Sequence, residues 1–184
     1  MNASMILFGI CPLIIFVILD TFASVKTAVA GAVIFALVEL IYTLVFYKRI
    51  DTITVISLLF VAVFGFFSYK TDNSIYFKLQ PVVFGVIFSM ICLIMQALGK
   101  PILNVMMSKY QYMLPDQMRA NMTLPLFQDM MTKVSFFLGW GLLAHALLVA
   151  YSVYYLSNWW WLAIRGVGLY IVMFACVFFA KFSR

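Results

Sequence analysis

Three polar side chains sit where an otherwise apolar sequence should not tolerate them, and any chemistry in this chain must start from them. Glu39 lies within the apolar run Thr27–Tyr47, 21 residues long and about 12 Å in from its Tyr47 end. A charge at that depth costs at least ~2.5 kcal/mol in a bilayer, so Glu39 must face protein or water. At 100° per residue, Ala28, Ala32, Ala36, Glu39 and Thr43 share an arc of about 80°, a small-residue seam suited to close helix packing. His145 lies near the middle of Val134–Leu156 and shares an arc of about 40° with Gly141 and Ser152. Glu39 and His145 fall at similar depths. Two readings are open: a proton or ion relay, or a hydrogen-bonded packing pair worth under ~1 kcal/mol.

Arg165 lies about 10 Å below the turn at Ser157-Asn158, within snorkelling reach of the surface. Trp161, one turn earlier on the same face, could take its guanidinium by cation–π contact. Binding of an anion or lipid headgroup is the alternative. Asp20 and Lys26 read as a solvated loop, with pairing across a short turn as the other reading. Enzyme chemistry is not supported. The sequence has one histidine and no glycine-rich phosphate loop, acidic metal cluster or acid beside a nucleophile. No cofactor or metal is expected.

The elements that must position these residues are membrane helices. The chain is 66% hydrophobic and 10% charged, far from a soluble domain. The sequence predicts a single all-α integral-membrane domain over residues 1–184, a polytopic helix bundle with five to six transmembrane helices. The spans are 5–19 (short, interrupted by Pro12), 27–47, 52–68, 79–98 (Pro81 in its first turn), 134–156 and 159–182. The long connection 99–133 contains one amphipathic interfacial helix, with Ile102, Leu103, Met106, Met107 and Tyr110 opposite Asn104 and Ser108. Its methionines, Met106 to Met131, read as adaptable apolar surface rather than a copper site. Trp159-Trp160-Trp161 open the last span as an interfacial aromatic belt.

Cys11, Cys92 and Cys176 stand in three different runs and read as buried thiols. Met1–Ile10 carries no Lys or Arg, so a cleaved signal peptide is not expected. The net charge of +6 does not indicate nucleic acid, because the cations cluster at span ends, where they orient the chain and meet membrane lipid. Lys48, Arg49, Lys100, Lys109, Arg119, Lys133, Lys181 and Arg184 fall on one side, and Lys26, Lys70, Lys78 and Arg165 on the other. This places the first group and the C-terminus in the cytoplasm.

Three stretches in order resemble the intracellular septation protein A family, the YciB/IspA inner-membrane proteins. Gln96-Ala97-Leu98-Gly99-Lys100-Pro101-Ile102 is similar to that family's Q-x-x-x-K-P-[LI]. Asp72 to Lys78 is similar to its acidic, then F-I-K-type, entry to a span. Trp161-Leu162-Ala163-Ile164-Arg165-Gly166-Val167-Gly168 is similar to W-x-x-[FI]-[KR]-x-x-G, with Arg165 where Lys is usual. Pro12 to Phe16 also fits P-L-x-x-F. The chain departs from the pattern at His145, where Asn is usual, at Glu39, where an aliphatic residue is, and by about four extra residues between Asp20 and Tyr42.

The resemblance implies a multi-pass protein of the bacterial inner membrane with no enzymatic reaction. It implies a part in envelope integrity, septation and cell shape through contacts with lipid or with cell-division and elongation proteins. Lys78, Gln96, Lys100, Pro101, Trp161, Arg165 and Gly168 are its motif positions. Gln96 and Lys100 read either as a rigid corner or as a docking site. Self-association into a homo-oligomer is compatible with the small-residue faces. The alternative function is a small proton-coupled transporter or channel using Glu39 and His145.

Overall fold

The computed structural model describes residues 14–47, 52–110, 122 and 124–183. All regular structure in them is helical. Residues 14–22 form α1. There follow α2 (Val25–Tyr47), α3 (Thr52–Thr71), α4 (Ile75–Ala97), α5 (Ile102–Tyr110), α6 (Pro125–Tyr155) and α7 (Asn158–Phe182). Among the described residues, four helices are long and apolar enough to cross a membrane: Val25–Tyr42 within α2, and the whole of α4, α6 and α7. Leu58–Thr71 of α3 is a shorter apolar helix.

Local chemistry explains where these helices stop. At the end of α4, Gly99 takes a left-handed φ of 70°. The Lys100 N–H then reaches the Met95 carbonyl at 2.9 Å and the Gly99 N–H the Gln96 carbonyl at 3.1 Å. This is the Schellman closure, which needs glycine at that position. Pro101 follows and starts α5, its carbonyl accepting from the Val105 N–H. The motif from Gln96 to Pro101 is thus a corner defined by backbone geometry.

The α3–α4 turn closes the same way around Asp72, with φ of 53° and the Asn73 N–H bonded to the Ser68 carbonyl. Ser68 Oγ, fully buried, donates to the Asn73 carbonyl at 2.6 Å and accepts from the Phe77 N–H at 3.1 Å. These bonds shorten the expected polar loop Tyr69–Lys78 to Asp72–Ser74. Because α4 begins at Ile75, Pro81 lies inside the helix, not in its first turn. It cannot donate to the Phe77 carbonyl, a loss that membrane helices tolerate when neighbours compensate.

The chain divides into two compact units, Met1–Pro81 with Ala150–Leu162, and Val82–Val149 with Ala163–Arg184. In the first, Gly31 of α2 lies against Leu19 and Ile15 of α1, and Gly65 of α3 against Val29 and Val33 of α2. Ala28 and Ala32 of the expected small-residue seam are buried.

In the second unit, α6 packs antiparallel to both α4 and α7. A Cβ added to Gly85 would stand 3.0 Å from the Ala146 Cβ, and Gly139 lies against Leu93 and Cys92. Ser89 Oγ donates to the Gly139 carbonyl at 2.8 Å. On the α7 side, Gly141 meets Cys176 and Val172, and Cys176 Sγ donates to the Phe137 carbonyl at 3.2 Å. In lipid, close backbone approach of this kind replaces water exclusion as the source of helix association.

A Cβ at Gly141 would stand 2.7 Å from Cys176 Sγ and 2.9 Å from a Val172 methyl, whereas one at Gly166 would meet nothing within 4 Å. Gly141→Val should therefore cost ~1–3 kcal/mol by overpacking. Gly166→Ala should be neutral or gain up to ~1 kcal/mol of helix propensity. Thermal unfolding of the detergent-solubilised variants checks both.

Candidate functional site

The most concentrated polar chemistry among the described residues lies in the first unit, where the α1–α2, α3–α4 and α6–α7 turns meet. Asp20 ends α1, Lys78 lies in the first turn of α4, and Asn158 opens α7. Lys78 Nζ is 2.8 Å from Asp20 Oδ2, with side-chain exposures of only 9% and 5%. The same ammonium donates to Ser74 Oγ at 2.8 Å and to Asn158 Oδ1 at 2.6 Å, so all three of its donors are used. The Asn158 amide N–H groups go to Asp20 Oδ2 at 2.9 Å and to Thr21 Oγ1 at 3.2 Å. Carboxylate, ammonium and amide thus form a closed triangle across three helices.

Sequence supplies each member locally. Thr21 Oγ1 donates to the Val17 carbonyl within α1, which keeps Asp20 on a helix rather than in a loop. Ser74 stands one helical turn before Lys78. Beneath the triangle lies an aromatic plug. Phe16 stacks on Phe77 with centroids 4.4 Å apart and meets Trp161 edge-on at 6.3 Å, and both Phe16 and Trp161 are 0% exposed. Such pairs contribute ~0.5–1.5 kcal/mol each beyond simple burial.

Two expectations are corrected. Asp20 is not solvated but is the buried acid of the triangle, and it pairs with Lys78 rather than Lys26. Lys26 instead lies 3.8 Å from Asp72, both more than half exposed, a pair worth at most about 1 kcal/mol. Trp161 does not belong to the exposed aromatic belt. Trp159 and Trp160 are exposed, while Trp161 points inward, since a helix turns about 100° per residue.

In the second unit, His145 is buried and its Nε2 lies 3.0 Å from the Ile164 carbonyl. A carbonyl can only accept, so Nε2 carries the proton. Gly168 lies beside this ring: a Cβ there would be 3.4 Å from Nε2. Arg165 is half-buried on α7. Glu39 is a residue of α2, but its side chain lies outside the described residues, as do Pro12 and most of the connection after Tyr110. Gln96 Oε1 is buried without a hydrogen-bond partner among the described residues, and Lys100 is exposed. No group of three or more His, Cys, Asp or Glu that could hold a metal occurs among the described residues.

Comparison with known proteins agrees with this arrangement of apolar helices. The model of the intracellular septation protein A family matches residues 5–183. The chain belongs to that family. Among its relatives is the inner membrane-spanning protein YciB of Aliivibrio salmonicida, 31% identical over 105 residues, which is 57% of this chain and 58% of that protein. The chain thus spans under two thirds of that relative's length. YciB of Edwardsiella ictaluri is 28% identical over 161 residues, covering 86% of this chain and 81% of the relative. No solved structure matches significantly. With four membrane-length helices and relatives named as inner membrane-spanning, the chain is a multi-pass membrane protein.

The triangle predicts unequal effects for two lysines of the same unit. Lys78→Met leaves the Asp20 carboxylate buried and unpaired and should cost ~3–5 kcal/mol. Lys26→Met should stay within ~1 kcal/mol of the parent. Chemical denaturation followed by tryptophan fluorescence checks the difference.

Proposed function

We propose that this protein serves envelope integrity and septation as a non-catalytic membrane scaffold, with its C-terminus in the cytoplasm. On this reading it holds division or elongation proteins through the region that begins at α5.

The observation that supports the reading most is how α5 is fixed. The Gly99 corner sets its direction. The Leu103 N–H donates to Ser135 Oγ at 3.2 Å, and Asn104 Nδ2 donates to Thr132 Oγ1 at 2.9 Å, so α5 is bound to α6 through Leu103 and Asn104. Val105, Met106, Ser108 and Lys109 remain exposed. A short helix held along one edge, with apolar and basic residues turned outward, suits recognition at the membrane surface.

His145 fits a packing role better than a relay, since its ring proton is already given to the Ile164 carbonyl.

A photocrosslinking side chain at Met106, in cells making the full-length protein, should capture division or elongation proteins. The same label at Tyr151, an exposed residue of α6, should not. Capture of lipid alone from Met106 would contradict the scaffold reading.

A further inference from the structure

A second feature stands apart from both the triangle and α5. Where α6 begins and α7 ends, the second unit carries an open groove of ≈ 550 Å³, within the range of ligand-sized clefts of about 300–1,000 Å³. Leu126, Met130, Asp129, Lys133 and Lys181 are among its lining residues. The bond from Cys176 Sγ to the Phe137 carbonyl sets the level of the two helices. Counted outward from it at 1.5 Å per residue, Lys133 stands about 6 Å out and Lys181 about 7.5 Å, but Met130 about 10 Å and Leu126 about 16 Å. The apolar side chains therefore lie outside the two ammonium groups. From Asn158 to Lys181, α7 rises about 35 Å, more than the ~30 Å hydrocarbon core, so Lys181 has reached the headgroups. Leu126, about 9 Å farther out, is past a headgroup layer roughly 5–7 Å thick. It is 83% exposed.

Depth and charge identify the occupant. Apolar surface on the aqueous side of the headgroups, rimmed by charged residues, marks a protein-binding site rather than a lipid contact. The charges of that rim do not cancel. Lys133 Nζ pairs with Asp129 at 2.8 Å, whereas Lys181 has no ion pair among the described residues and lies 5.9 Å from the Phe182 ring centroid. Two ammonium groups against one carboxylate leave an excess of one positive charge, which calls for an acidic partner. A second copy of the chain does not offer one, since on this side its basic residues outnumber Asp51, Asp116 and Asp129. We propose that the groove docks an acidic amphipathic helix of another protein. The apolar stripe of that helix lies along Leu126 and Met130, and its carboxylates meet Lys181 and the free donors of Lys133. The proposal stands whether or not α5 holds division proteins.

A photocrosslinking side chain at Leu126, in cells making the full-length protein, tests it, with the captured segment located by tandem mass spectrometry. That segment should belong to another protein, carry more Asp and Glu than Lys and Arg, and repeat apolar residues at i, i+3, i+4 and i+7. Lys133→Gln with Lys181→Gln should lower the yield by about fivefold or more. Lys181→Arg, and Lys109→Gln on α5, should keep it. Helicity of each purified variant by circular dichroism separates loss of docking from loss of fold. Capture of lipid, of a second copy or of a segment of the same chain would overturn the proposal, as would a partner segment that is basic or lacks the apolar period. So would a yield no higher than from the same label at Tyr151, or one unchanged in the folded double variant. The label at Met106 reports on α5 separately, so either proposal can fail alone.

Discussion

Asp20 and Lys78 bring opposite full charges into a place where neither side chain keeps more than a tenth of its surface exposed. Removing both charges from water is costly, and their attraction offsets that cost only when every remaining donor and acceptor is met. Asn158 makes that possible. Its amide accepts from the ammonium and donates to the carboxylate, so one side chain satisfies both ions. Because the three residues lie on α1, α4 and α7, the pair can form only when those helices are in register. The Phe16, Phe77 and Trp161 plug depends on the same register, since Phe77 immediately precedes Lys78 and Trp161 follows Asn158 by one turn.

The second unit is held by a different means. Small residues at Gly85, Gly139 and Gly141 let helices approach until a Cβ would strike the neighbour, and hydroxyl and thiol groups bond to carbonyls across the contact. His145 belongs to this pattern: its Nε2–H donates to a carbonyl of α7, next to a glycine that leaves room for the ring. A buried ion pair thus fixes the register of the first unit, and close packing holds the second. Polar residues inside a membrane protein serve orientation in both.

Much of this was legible in the sequence. Apolar runs of bilayer length marked α2, α4, α6 and α7, and the small residues of α2 and α6 marked faces that turned out to be packed. The Gln96–Pro101 stretch read either as a rigid corner or as a docking site, and its backbone closes as a corner through Gly99. The triangle was not legible. Asp20 and Asn158 are 138 residues apart, and each stands at a helix end, where a charged or amide residue usually signals solvent or a turn. Only tertiary contact distinguishes a buried aspartate from an exposed one. Trp161 was missed for a related reason, since a run of three tryptophans suggested one shared environment while helical rotation gave it a different one. The starting point of α4 was also set too late. Apolarity marks the bilayer interior, and helices run beyond it: the 31 residues of α6 extend about 46 Å.

The central claim is that the Asp20–Lys78 pair, bridged by Asn158, sets the register of the first unit. Exchanging the charges tests it most directly, because the Asn158 amide can turn over and serve a reversed pair. Thermal unfolding of Asp20→Lys, Lys78→Asp and the double exchange should show both single variants strongly destabilised by like charges, with the double variant recovering most of the loss. Single variants that melt with the parent, or a double variant as unstable as the two losses added together, would contradict the account.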